Sequence, residues 1–232
     1  SPTKFLTAAH FVDSNRDGVV DAGLNYTVRF GDNVSSPSHT LNSFSSVAIH
    51  PDWSTSNGSS TFDLAVLTLT SPFTGIAPLL ISDKDPTGLI GTMVGYGLHG
   101  TGDDFATNNS LDGLRRAARN AIDVVGNTIN TDFDSPSQNT SYYGSATPLA
   151  LEGTTAGGDS GGPLLVNFGA GYRVVGSLRG GFNVFGGLSE YGDVSIYAPV
   201  NTESNLDFLQ AQGVMVPEPM VPALLALGLV LM

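Results

Sequence analysis

Short apolar segments recur along the whole chain, some alternating apolar with polar positions and others compact. Their boundaries are rich in Gly, Pro, Asn, Asp and Ser. The segments are KFLTA, LNYTVRF, SFSSVAIH, DLAVLTL, TMVGYG, GPLLVNF, YRVVGSL and DVSIYAPV. A period of two residues between turn-forming boundaries is typical of strands in a sandwich or barrel. The pattern therefore predicts an all-β body.

Two segments depart from this pattern. Residues 111–125 fit either a helix or an exposed strand, because their arginine-rich start suits both. Residues 202–212 predict a short C-terminal helix, in which Thr202 begins the element and Asn205 stands where a capping box would have Glu. After residue 212 the sequence becomes proline-containing and then almost entirely apolar. We therefore expect one domain over residues 1–212 and a linker with an anchor-like segment over residues 213–232.

Composition narrows the possible functions. The 232 residues include 29 glycines and 13 prolines, and only 13% are charged, which again favours strands and turns. The net charge of −12 argues against nucleic-acid binding, since phosphate contacts need clustered Lys and Arg. The chain has no cysteine, which excludes disulfides and thiolate metal sites.

The stretch GTTAGGDSGGPLLV surrounds one hydroxyl, that of Ser160, with pairs of glycines. Glycine pairs make ordinary turns, but a nucleophile also needs open space and nearby backbone N–H donors. The same residues fit the nucleophile elbow of α/β-hydrolases, which requires a histidine after the serine. All four histidines precede Ser160, so that fold is excluded.

The order that the chain does offer is His, then Asp, then Ser. His10 follows an apolar segment in LTAAH, and Asp63 opens the strongly apolar segment DLAVLTL. A carboxylate at that position is expected to be buried, and a buried carboxylate needs a hydrogen-bond donor such as a histidine N–H. Each feature alone also has a structural explanation, as a surface histidine, a strand cap and a turn.

Together, LTAAH, DLAVL and GGDSGGPL resemble the trypsin/chymotrypsin-type serine endopeptidases in order and separation, and HPDW and VGYG are also similar. The resemblance covers roughly residues 1–212. It implies two six-stranded Greek-key β-barrels with the active site between them, the first barrel lacking its N-terminal strands, and a short C-terminal helix. It also implies hydrolysis of peptide bonds in protein or peptide substrates, with no cofactor required.

The resemblance also assigns roles to residues. Ser160 would be the nucleophile, His10 the general base, and Asp63 the carboxylate that orients the imidazole. The backbone N–H groups of Gly158 and Ser160 would form the oxyanion hole, and Asp159 would pair with the new N-terminal amine in activated members. The alternative is a catalytically inactive binding module on the same fold.

The same family places a substrate pocket beside the nucleophile. Thr154 would lie at its base, Ser177 and Arg179 on one wall, and Ser195 on a further wall. Because threonine supplies no carboxylate, a neutral pocket that cleaves poorly after Arg and Lys is expected. Arg179 could fill this pocket or attract an acidic side chain.

The segment DSNRDGVVD directly after His10 has the spacing of a calcium-binding loop. Oxygen donors stand at Asp13, Asn15, Asp17, the Val19 carbonyl and Asp21, but Leu24 occupies the position of the usual last carboxylate. Asp and Asn at alternating positions also form ordinary Asx turns. A structural calcium and a plain acidic turn are both open at this point.

The C-terminal stretch VPEP followed by VPALLALGLVLM resembles the PEP-CTERM sorting signal of exported proteins in Gram-negative bacteria. The resemblance implies export, an extracellular or cell-envelope location, and processing by an exosortase. The apolar run has about a dozen residues, whereas a membrane span needs about 20. A proline-rich linker with a hydrophobic end is the alternative.

Overall fold

The computed structural model describes residues 1–54, 60–103, 111–144, 146–184, 187 and 189–214. In its first part the strands are β1 (Lys4–Thr7), β2 (Val28–Phe30), β3 (His39–Leu41), β4 (Phe44–Ile49) and β5 (Ala65–Leu69). The later strands are β6 (Leu80–Ile81), β7 (Ile90–Gly95), β8 (Arg116–Ala121), β9 (Val124–Val125), β10 (Ile129–Asp132), β11 (Pro163–Asn167), β12 (Tyr172–Phe182) and β13 (Val194–Pro199). The α-helix α1 spans Glu203–Ala211, and short 3₁₀ turns span Ala9–Phe11 and Ser60–Phe62.

The strands of the described residues form three sheets. A three-stranded antiparallel sheet has the order β1-β5-β4, and β2 pairs with β3. The large sheet has the order β8-β7-β11-β12-β13-β10-β9, and β6 lies parallel to β12. The predicted β-rich chain with one short C-terminal helix is confirmed. The arrangement as two six-stranded barrels stays a prediction.

All eight predicted segments contain a strand, and the ambiguous segment at residues 111–125 contains β8 and β9. The pattern did not predict β3, β6 or β10. The first two have three and two residues, too few to show an alternation, and β10 reads INTD with a single apolar residue. A mostly polar strand gives no alternating apolar signal.

Strand β5 lies at the centre of the first region because its side chains are buried on both faces. Leu67 packs in one apolar cluster with Trp53, and Val66 packs in another with Leu209 of α1. Burial of such aliphatic side chains contributes about 1.5–3 kcal/mol each. The chain just before β5 is therefore held in the interior, and Asp63 is fully buried.

The large sheet encloses a second apolar cluster that sets the position of β11. Leu164 and Val166 alternate inward along this strand and pack with Ile129, Val175 and Tyr197. Strand β11 begins three residues after Ser160, so the packed sheet fixes one end of the glycine-rich turn.

Helix α1 packs on the first region. Thr202 precedes it in an extended conformation, but its hydroxyl makes no capping hydrogen bond. Asn205 is fully buried, and its amide donates to the carbonyls of Thr61 (2.9 Å) and Pro199 (2.6 Å). Asn205 thus ties the helix to the body of the protein. Within the described residues, no helix is long and apolar enough to cross a bilayer.

Candidate active site

A histidine and a fully buried carboxylate form a close pair in the first region. The Nδ1 of His10 lies 2.7 Å from Oδ2 of Asp63, and the backbone N–H of His10 donates to Oδ1 over 2.9 Å. The carboxylate therefore accepts two hydrogen bonds from one residue. With Nδ1–H donating to Asp63, the Nε2 of the partly exposed imidazole carries the lone pair and is able to accept a proton.

Local sequence explains why His10 stands there. Strand β1 ends at Thr7, and Ala8 and Ala9 are fully buried before the 3₁₀ turn that carries His10. Ala9 packs in the cluster with Trp53, and the backbone N of Ala8 lies close to Gly161. The turn directs the imidazole towards the buried Asp63.

The turn that carries Ser160 is built around glycines with positive φ. Gly158 has φ +96° and Gly161 has φ +77°, in the left-handed region that side chains with a Cβ rarely adopt. A Cβ on Gly161 would lie 2.3 Å from Oγ1 of Thr7 and 3.0 Å from N of Ala8. This close approach brings the chain next to the exposed Ser160 against the residues that lead into His10.

Two backbone N–H groups at this turn have no hydrogen-bond acceptor among the described residues. Neighbouring groups are paired: Asp159 N–H donates to Ala156 O, and Gly161 N–H donates to Leu178 O. Within the described part of the chain, the N–H groups of Gly158 and Ser160 donate to no protein acceptor. Two unpaired N–H donors beside an exposed hydroxyl are the elements of an oxyanion-binding site.

Asp159 is held by backbone N–H groups. Its Oδ1 accepts from Gly97 N–H at 2.7 Å, and its Oδ2 accepts from Ala156 N–H at 3.0 Å. A Cβ on Gly95 would lie 1.9 Å from Oδ1 of Asp159, and one on Gly97 would lie 2.6 Å from the same atom. The VGYG stretch thus forms a close-fitting cradle for this carboxylate. In the sequence, VGYG was singled out only by its resemblance to the family, and nothing there indicated that it contacts Asp159.

A cavity of about 190 Å³ opens beside Ser160 and has Thr154 in its wall. The hydroxyl of the buried Ser195 lies 2.9 Å from that of Thr154 and 2.8 Å from that of Thr155, and it accepts Thr155 N–H at 3.1 Å. These three hydroxyl residues therefore form one network behind the cavity wall. Ser189 also lines the cavity, and its hydroxyl donates to Thr155 O at 2.9 Å.

Two other predicted pocket residues lie apart from this wall. Ser177 is buried, does not line this cavity, and has no hydrogen-bond partner for its hydroxyl among the described residues. Arg179 is also absent from the lining, and the β12–β13 register shifts between Leu178 and Gly180 on either side of it.

The cavity wall instead contains a carboxylate that the sequence did not indicate. Asp193 is buried there, and its two oxygens accept N–H groups from Val184 (2.9 Å) and Glu190 (3.2 Å). A lone Asp beside a glycine gave no chemical signal in the sequence, because its partners are nine and three residues away in the same irregular loop.

The acidic loop after His10 folds on its own backbone. Fully buried Asp13 accepts N–H groups from Asp17 (3.2 Å) and Gly18 (2.9 Å), and Asp17 accepts from Val19 (2.8 Å). Gly18 has φ +83°. Across the described ranges, no three His, Cys, Asp or Glu side chains converge as a metal centre. Calcium binding by Asp13, Asn15, Asp17, Val19 and Asp21 stays a prediction.

These features define a class of protein: a β-rich chain with a histidine–carboxylate pair, and with an exposed serine in a glycine turn whose backbone approaches the residues that lead into that histidine. The Trypsin family model matches residues 1–206, and the chain belongs to this family of trypsin-like serine proteases. A search of curated proteins finds no match.

Proposed function

We propose that this protein is an active serine endopeptidase in which His10, Asp63 and Ser160 act as the catalytic triad. The observation that carries the proposal is the hydrogen bond of 2.7 Å between Nδ1 of His10 and the buried Asp63. It leaves the basic nitrogen of His10 free on the partly exposed side of the ring. The inactive-module alternative explains neither this pairing nor the two unpaired N–H groups.

In the proposed mechanism, Nε2 of His10 takes the hydroxyl proton of Ser160 while Oγ attacks the scissile carbonyl. Asp63 stabilises the imidazolium that forms, and the proton then passes to the leaving amine. Water hydrolyses the acyl-enzyme in a second round with the same base. The N–H groups of Gly158 and Ser160 stabilise the oxyanion, and one such donor contributes about 3 kcal/mol in the transition state.

The proposed substrate is a protein or peptide with an uncharged side chain before the scissile bond. Thr154, Thr155 and Ser189 are uncharged residues that line the cavity beside Ser160, and their hydroxyl groups are hydrogen-bonded to Ser195 and to Thr155 O. The Asp193 carboxylate is held by two backbone N–H groups and is almost completely buried. A guanidinium or ammonium group would therefore enter without an accessible counter-charge, which is unfavourable.

The experiment compares the wild-type chain with Ser160→Ala, using an organophosphonate probe and a peptide library. Wild type should be labelled and Ser160→Ala should not, because the probe reacts with the serine hydroxyl. The library should show poor cleavage after Arg and Lys. Equal labelling of both proteins, or of neither, would favour the inactive module.

Export and sorting are a separate part of the proposal. They rest on the VPEP stretch and the apolar run that follows it, which lie outside the described residues. The proposed partner is an exosortase that processes this tail, and the proposed location is the outside or the envelope of a Gram-negative cell. Fractionation of cells that express the chain with or without residues 216–232 tests this: an identical distribution would contradict sorting.

A further inference from the structure

Four acidic side chains lie together on the large sheet, away from His10 and Asp63. They are Asp123 after β8, Asp132 at the end of β10, Asp134 just beyond it, and Glu152. Asp132 is 2% exposed and Asp134 is 5% exposed. None of them takes part in an ion pair among the described residues. Buried carboxylates without a positive partner are costly unless something neutralises them.

These carboxylates bind backbone groups of a segment that passes over them, the described part of residues 142–152, which we call the crossing segment. Oδ2 of Asp132 accepts the N–H groups of Tyr142 and of Tyr143, the latter at 2.8 Å. A Cβ on Gly144 would lie 2.3 Å from Oδ1 of Asp123, so the backbone passes in direct contact with that carboxyl group.

Glu152 fixes the other end of the crossing segment. Its Oε1 accepts Asp134 N–H at 2.7 Å, and its Oε2 accepts Leu149 N–H. Thr154 follows two residues later, so the held segment leads directly into the Ser160 turn. We call Asp123, Asp132, Asp134 and Glu152 the carboxyl cluster.

Bound protons can neutralise these carboxyl groups in place of basic side chains. The neighbouring carboxyl group of Asp132 favours a proton on Asp123, through its charge and through a side-chain hydrogen bond that only a protonated carboxyl group can donate. Burial, with the charge of Asp132 as the second cause, raises the pKa of Asp123 to about 7. Burial, then Asp132 and Glu152, raise the pKa of Asp134 to about 6. Both groups also have a buried oxygen with no partner within the described chain.

The other ionisable groups on the packed elements do not neutralise the cluster. They are Arg119, Tyr142, Tyr143, Tyr191 and Asp193. Arg119, on β8, forms no ion pair with the cluster, and its backbone pairs with Leu151 and Gly153. Asp193 directs its carboxylate to Val184 and Glu190 instead.

We propose that the carboxyl cluster is a proton-operated clamp that holds the described part of residues 142–152 on the sheet and loosens when its protons are lost. The link from the clamp to catalysis rests on the proposed function, because residues 142–152 lead into the Ser160 turn. Clamping itself is a property of the fold and does not require activity.

The direction of the pH effect follows from the raised pKa values. The folded chain binds more protons than the unfolded chain between about pH 4 and pH 7, since unfolded Asp titrates near 3.9. The clamp therefore contributes most at acidic pH, and its contribution is lost as the pH rises through about 6 and 7. Above that range it stays lost.

The test measures melting temperature and limited proteolysis of the full chain at pH 5 and pH 8, in a Ser160→Ala background that prevents self-cleavage. With the clamp, the melting temperature falls by several degrees at pH 8, and cleavage within residues 140–153 becomes about tenfold faster. Asp123→Asn, whose amide can still donate to Asp132, should remove most of this dependence. Asp83→Asn, on an exposed carboxyl outside the cluster, is the matched control and should keep it.

Three outcomes would overturn the clamp. One is equal stability and equal cleavage of the parent chain at both pH values, and another is an unchanged pH dependence in Asp123→Asn. The third is restored protection of residues 140–153 at pH 8 on addition of calcium in an Asp17→Ala background, which would make the cluster a cation site. If Asp123→Asn does not fold, hydrogen exchange of Tyr142 and Tyr143 in the parent chain decides: exchange no faster at pH 8, after correction for intrinsic rates, contradicts the proposal. Because the readouts are structural, a failed clamp and a failed protease assignment are distinguishable.

Discussion

Carboxylates are buried in two regions of this protein, and they are neutralised in different ways. In the first region, Asp63 is fully buried and receives both the side-chain and the backbone N–H of His10. In the second, Asp123, Asp132 and Asp134 lie against one another without a basic partner. The same type of side chain thus meets N–H donors of a histidine in one place and neighbouring carboxyl groups in the other.

The difference shows what decides the state of a buried acid. Donors that belong to the fold stabilise the ionised form, whereas neighbouring carboxylates and burial favour the protonated form. Asp63 can therefore support an imidazolium in the proposed reaction, because its charge is already accommodated. Asp123 can respond to pH because its charge is not.

The largest difference between the two regions is expected when Asp63 is substituted. Asp63→Asn should lower kcat by about 10⁴-fold, the size of this change in serine-protease triads, because the amide favours the wrong imidazole tautomer. Steady-state kinetics on a peptide substrate would measure it. Asp123→Asn is the matched substitution in the second region and should leave kcat at pH 6 within about threefold. A similar loss in both variants would contradict the distinction between the two regions.

Asp159 offers a further, half-buried carboxylate, which is held by two backbone donors and lies next to the nucleophile in the chain. Gly95→Ala would set a Cβ 1.9 Å from its Oδ1 and should displace it together with the Ser160 turn. We expect kcat/KM to fall at least about tenfold, since small displacements of a catalytic group are costly. Gly126→Ala is the control, because a Cβ there meets no atom within 4 Å. Equal activity of the two variants would show that Asp159 does not position the turn.

The acidic loop after His10 sharpens the comparison, because its carboxylates already accept backbone N–H groups and a bound cation would be a third means of stabilising them. If it binds calcium, saturating calcium should raise the melting temperature by about 5–10 °C over the chelated protein, through the linkage of binding to folding. Asp17→Ala should abolish that rise. A wild-type melting temperature that does not respond to chelator would make the loop a plain acidic turn.

Sequence reasoning predicted the strands and the candidate triad because both depend on local patterns. Compact apolar runs mark β5 and β11, and short motifs mark the segments that carry His10, Asp63 and Ser160. The cradle around Asp159 could not be predicted, because Gly97 meets it from 62 residues away along the chain. The carboxyl cluster depends in the same way on how residues 142–152 cross the sheet, and no periodicity records that path.

Helix α1 connects the C-terminal end of the described chain to the residues that precede Asp63. Asn205 in the helix is bonded to Thr61, and the ring of His50 lies between Phe62 and Phe208 while its Nε2–H donates to Ser204 O at 3.3 Å. Tension applied to the chain after Val214 would pass through the helix into residues 61–62, directly beside Asp63. A pull on the C-terminal side of this protein is thus transmitted to the carboxylate that orients the imidazole.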